Sequence, residues 1–133
     1  MRKKKGFTLI ELMIVIAIIA ILAAILVPNF LRARAQGMVT ACKANLKNMG
    51  TALEMYATDN SGRYPTTLNG LSPHYLRTMP TCPSTGLANS YGYTSQSVPD
   101  SYTVYCSGTN AHQAVDLSTG YPQYDSIRGL IER

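Results

Sequence analysis

Two hydrophobic patterns follow one another along this chain of 133 residues. From Phe7 to Val27 the residues are apolar except Thr8 and Glu11. A helix of that length rises roughly 30 Å, the thickness of a bilayer core. Pro28 follows; it lacks an N–H and crowds the carbonyl of Ala24, so a kink is expected between Ala24 and Pro28. Beyond it the pattern turns amphipathic. Ala35, Val39, Cys42, Leu46, Met49, Leu53 and Tyr56 recur at alternating spacings of four and three, which marks one face of a helix. Arg32, Arg34, Lys43, Lys47 and Glu54 fall off that stripe. The turn formers Asp59-Asn60-Ser61-Gly62 should end the helix. Two β-branched and aromatic runs, Ser90–Thr94 and Tyr102–Cys106, then predict an antiparallel hairpin whose apolar side covers the stripe. A weaker third strand is expected near Ala114–Leu117. Tyr121–Asp125 reads as loop, and the tail either docks or frays.

Charge assigns an orientation to the first pattern. The chain carries 12 basic and 7 acidic residues, and Arg2, Lys3, Lys4 and Lys5 supply four of the cations. Without them the balance is 8 against 7. The basic excess is therefore a leader held on the cytoplasmic side of a membrane, with the remainder facing outward. It is not a nucleic-acid surface, and nine tyrosines with few cations among them make no platform for one. A cleaved secretory signal fits poorly, because the apolar run is too long and no A-x-A step ends it. A plain membrane anchor leaves Glu11 unexplained, since an acid in a spanning helix is costly and normally has a partner.

Candidate chemistry is sparse. His74 and His112 are the only histidines, neither stands in a metal-ligand spacing, and both read as solvated loop residues. No G-x-S-x-G elbow or phosphate loop is present. Three cysteines without a C-x-x-C spacing argue against zinc and against a redox dithiol. The expectation is no catalytic residue, no cofactor and no metal site.

The stretch Gly6-Phe7-Thr8-Leu9-Ile10-Glu11, behind a short basic leader, resembles the prepilin signal of type IV pilins and type II secretion pseudopilins. The block Ala52–Leu71, ALEMYATDNSGRYPTTLNGL, with Tyr75–Pro80 after it, is similar to the major pseudopilin. The resemblance covers roughly the first 80 residues. Thr81-Cys82-Pro83-Ser84-Thr85-Gly86 stands where that group tends to have Asp-Pro-Trp-Gly, and the group's calcium loop is not evident, because Asp116 and Asp125 alone lack the ligand density a hard cation needs.

The resemblance implies cleavage after Gly6 by a prepilin peptidase and N-methylation of Phe7. It also implies that Glu11 of one subunit meets the new amine on Phe7 of another, which sets axial register, because an unpaired ion in low dielectric is costly. Pro28 matches a proline often found in the family. The implied fold class is α+β and pilin-like: a long N-terminal helix, membrane-spanning in its first half, on a small antiparallel sheet. The expected organisation is a leader over 1–6, a membrane and filament-core helix over 7–27, the amphipathic half of that helix over 28–60, and a β-rich domain over 61–133. Implied partners are identical subunits in a homopolymer, the peptidase, an inner-membrane assembly platform, minor pilins or pseudopilins, and the bacterial inner membrane itself. The filament would be periplasmic or extracellular. A secretion pseudopilin is the favoured function. The alternatives are a type IV or competence pilin for adhesion or DNA uptake, and a membrane-anchored binding module displayed singly.

The cysteines admit several states. Cys42 lies on the stripe, where a thiol behaves as a small hydrophobe. A Cys82–Cys106 disulfide is favoured if the domain lies outside the cytoplasm. Closing that loop would stabilise by roughly 3.5 kcal/mol. A Cys42–Cys106 bridge and three free thiols are the alternatives.

Overall fold

The computed structural model describes residues 6–87, 89–97, 100–108 and 112–132. One helix, α1 (Leu9–Asp59), runs through Pro28, and two compact units divide it, Met1–Arg34 and Ala35–Arg133. In the first unit every described residue is exposed.

In the second unit the stripe becomes the core. Val39, Cys42, Leu46, Met49 and Leu53 are buried, with Ala52 and Ala57 beside them, while Ala35 and Tyr56 at its ends are half-buried. Each large apolar side chain taken from water contributes about 1.5–3 kcal/mol, enough for this stripe to hold half a helix against a sheet. The helix ends at Asp59 in a left-handed cap. Ser61 and Gly62 have φ of 59° and 83°, and the Gly62 N–H reaches back to the Ala57 carbonyl at 2.8 Å.

Four antiparallel strands form a meander in the order β1 (Tyr91–Ser97), β2 (Asp100–Cys106), β3 (Gln123–Asp125) and β4 (Gly129–Ile131). Along β2 burial alternates, with Tyr102, Val104 and Cys106 inward and Ser101, Thr103 and Tyr105 less covered, as the two-residue period of a strand requires. Register then aligns Tyr93, Val104, Tyr124 and Leu130 across the four strands, and all four pack into the helix-facing core. Tyr102 is fully buried; its ring lies edge-on to Tyr64 at 4.7 Å, and its hydroxyl donates to the Gly50 carbonyl at 3.3 Å. The fold is α+β and pilin-like.

Two local expectations are corrected, and the alternative left open for the tail is decided in favour of docking. Instead of a strand near Ala114–Leu117 there is a short 3-10 turn, Gln113–Val115, closed by Asp116 in the left-handed region at φ 59°, a geometry no extended run tolerates. Tyr121–Asp125 is not all loop. Pro122 cannot donate, but its carbonyl accepts from the Cys106 N–H at 3.2 Å and leads into β3. The tail pairs as β4, and Glu132 meets the Lys43 ammonium on α1 at 2.6 Å.

Candidate functional site

Two places carry chemistry. The first is the start of α1. Thr8 precedes the first helical residue, and its Oγ1 faces the Glu11 N–H at 3.4 Å. Glu11 returns the contact: its Oε2 accepts from the Thr8 N–H at 2.9 Å and from the Thr8 hydroxyl at 2.5 Å. This reciprocal pair is a capping box, which satisfies amide donors that a helix start leaves open. Within a single chain, Glu11 is thus held by its own helix end. The T-x-x-E spacing was a readable signal for this role.

Phe7 is 77 % exposed, and a side chain built at Gly6 would meet nothing within 4 Å. Behind them the helix is long and apolar enough to cross a membrane, and none of its most apolar window is covered by the rest of the chain. Pro28 sits inside the uninterrupted helix, and the Asn29 side chain donates to the Ile25 carbonyl at 3.3 Å in the same turn.

The second place is a buried cluster in the globular unit. Cys42 comes from α1, Cys82 from the segment between the helix and β1, Cys106 from the last position of β2, and His112 from the N-terminal cap of the 3-10 turn. Their Sγ and ring-nitrogen atoms all lie within 4.8 Å of one another. All three cysteines are thiols. The favoured Cys82–Cys106 disulfide is not formed here. The pair does adjoin, at 3.5 Å, but shares its pocket with Cys42 and His112.

His112 is not a solvated loop residue: it is 3 % exposed. Its Nε2 lies 3.6 Å from the Cys82 sulfur and its Nδ1 lies 3.0 Å from the Ser84 hydroxyl. His74 is exposed, as expected. Tyr91 donates its hydroxyl to Cys42 at 3.4 Å and accepts from the Asn45 amide at 3.1 Å. Burial pushes the Tyr91 hydroxyl well above its usual range, so it stays a donor. A hydrogen bond between Cys42 and Cys106 pushes the Cys42 thiol up, as does burial, and pulls Cys106 down. No short-range spacing announces this cluster, because its members are 40, 24 and 6 residues apart along the chain.

The family comparisons divide the chain much as its geometry does. Residues 1–27 match the model of the prokaryotic N-terminal methylation motif. Residues 29–119, more than half the chain, match that of type II secretion system protein G. The chain belongs to the type II secretion system protein G family. Relatives in this family include the type II secretion system core protein G of Pseudomonas aeruginosa, 46% identical over 70 residues, which is 53% of this chain and 49% of that protein. That of Vibrio cholerae is 43% identical over 83 residues, 62% of this chain and 55% of that protein. The type IV wide pilus major component PilA4 of Thermus thermophilus is 57% identical over 61 residues, 46% of this chain and 47% of that protein. The chain thus spans about half the length of the curated relatives it matches. No solved structure gives a significant match.

Proposed function

We propose that this protein G family member is a structural subunit of a type II secretion pseudopilus, made as a membrane-held precursor and drawn into a helical filament from the inner membrane. The observation that carries this reading is the bare apolar half of α1 behind the GFTLIE motif. A segment of 21 residues with no cover from its own chain needs lipid before assembly and neighbouring helices after it. Heterologous contacts that do not close then generate a filament.

In this reading a prepilin peptidase cuts between Gly6 and Phe7 and methylates Phe7. The liberated amine of one subunit draws Glu11 of its neighbour out of the capping box and into an ion pair. Pro28 is the point of flexure. The organisation is a leader over 1–6, a filament-core helix over 7–27, its amphipathic half over 28–60 and a domain over 61–133 that faces away from the cytoplasm. Identical subunits, minor pseudopilins and the assembly platform are the partners. A type IV pilin is the second reading, favoured by the similarity to the Thermus thermophilus pilus component.

N-terminal mass analysis of the chain from its native membrane tests the reading. Methyl-phenylalanine at the start is expected; an intact Met1 would instead indicate a singly displayed anchor. Glu11→Ala should insert normally and yield few filaments, and a normal yield would overturn the role of Glu11.

A further inference from the structure

We propose that Cys42, Cys82, Cys106 and His112 form a closed tetrahedral site for a zinc-type divalent cation, a property beyond filament assembly. The donor set is the one such sites use: three thiolates and one imidazole, four-coordinate and shielded from water. All four side chains are buried, the cysteines at 0–1 % exposure and the histidine at 3 %. Zinc–ligand lengths set the edges of a tetrahedron at about 3.8 Å between sulfurs and about 3.5 Å from sulfur to nitrogen. The Cys82–Cys106 and Cys82–His112 separations are 3.5 and 3.6 Å. The largest separation in the quartet, at most 4.8 Å, closes to such an edge by a contraction of about 1 Å.

The surroundings are built to match. The Ser84 hydroxyl lies 3.0 Å from His112 Nδ1 and 3.7 Å from the Met38 sulfur, so with its proton turned to Met38 it accepts from Nδ1–H. In that tautomer the Nε2 lone pair, 3.6 Å from the Cys82 sulfur, is open to the cluster, the arrangement that outer-shell partners of metal-binding histidines impose. The Tyr91 hydroxyl donates to Cys42, so that sulfur meets a donor suited to a thiolate. A Cys82–Cys106 disulfide would use two of these four groups and leave the imidazole without a role. A metal uses all of them. On binding, three thiol protons pass to solvent and the imidazole binds neutral, so the site carries one net negative charge. The site would tie α1, the helix–sheet connection, the end of β2 and the 3-10 turn at one point.

The test uses the full chain in detergent. Extracted without reductant or added metal, it should retain close to one zinc per chain by plasma mass spectrometry and show three alkylatable thiols once the metal is chelated. A Cys82–Cys106 disulfide with no metal overturns the proposal. Replacing zinc by Co2+ under a phosphine reductant should give the thiolate-to-cobalt charge-transfer band and intense d–d bands of tetrahedral cobalt; their absence also overturns it. Ser84→Ala keeps every ligand and should weaken metal retention about ten- to a hundred-fold. Cys42→Ser and His112→Gln should remove the tetrahedral cobalt spectrum, whereas His74→Gln should keep it. A spectrum indifferent to Cys42 and His112 means cobalt bound elsewhere and refutes the site.

Discussion

Glu11 has two roles in this reading, and they separate at one substitution. As a capping residue it needs only an acceptor, which glutamine also supplies in the same motif. As the partner of a terminal amine it needs charge. Glu11→Gln should therefore keep the helix start, measured by the amide exchange of the first turn, and still fail to assemble. Filament yield equal to the unaltered chain would show that the cap, not the charge, matters. Gly50 is informative in a different way. On a helix it costs up to about 1 kcal/mol relative to alanine. Its compensation is across the sheet: a Cβ there would stand 2.5 Å from Tyr124 Cε1. Gly50→Ala should thus gain helix propensity and lose more by displacing the Tyr124 ring, a net loss of about 1–2 kcal/mol in denaturant unfolding. The same change beside Tyr124→Leu should be nearly neutral.

The elements differ in how they are held. The inner half of α1 stands on its stripe, so Leu46→Ala, at a fully buried position, should cost about 2–5 kcal/mol in chemical denaturation. The β3–β4 hairpin is too short to rely on its ladder and uses a carboxylate instead. Asp125 accepts from the Ile127 N–H at 2.8 Å and from Arg128 at 3.2 Å. These contacts, the backbone one first, hold its carboxyl below the ordinary range. A depressed folded value means that the contribution is present above the unfolded value, about 3.9, and is lost as pH falls through the folded one. Amide protection in β4 should drop over that acid range. Asp125→Asn should remove the pH dependence.

At the level of the whole molecule, the two ends of the chain bury apolar surface in different solvents. The globular unit completes its own core. The first unit leaves Ile14, Ile18, Ile19, Leu22 and Ile25 about half exposed or more. Ile18→Lys places a charge worth about 2.5–3.5 kcal/mol in the middle of the span. It should lower the membrane-held fraction and filament yield together, as read by fractionation, while the globular unit keeps its unfolding midpoint. A filament yield unchanged by this substitution would mean that the apolar half is not the shared core.

Periodicity is a local property, so the helix, its stripe, its stop at Asp59 and the Tyr91–Cys106 hairpin were legible along the chain. The apolar span and its basic flank were equally legible, since lipid and water judge each residue by its own transfer energy. The last two strands were not, because three-residue strands, one preceded by a proline and the other begun by a left-handed glycine, exist only through pairing with neighbours already in place. The capping role of Glu11 was written in its spacing from Thr8 but masked by a louder hydrophobic context. The Cys42–Cys82–Cys106–His112 cluster lay beyond any reading by spacing. Its four members come from separate elements, and only the docking of helix on sheet, driven by burial rather than by any of those four residues, brings their sulfur and nitrogen atoms within reach of one another.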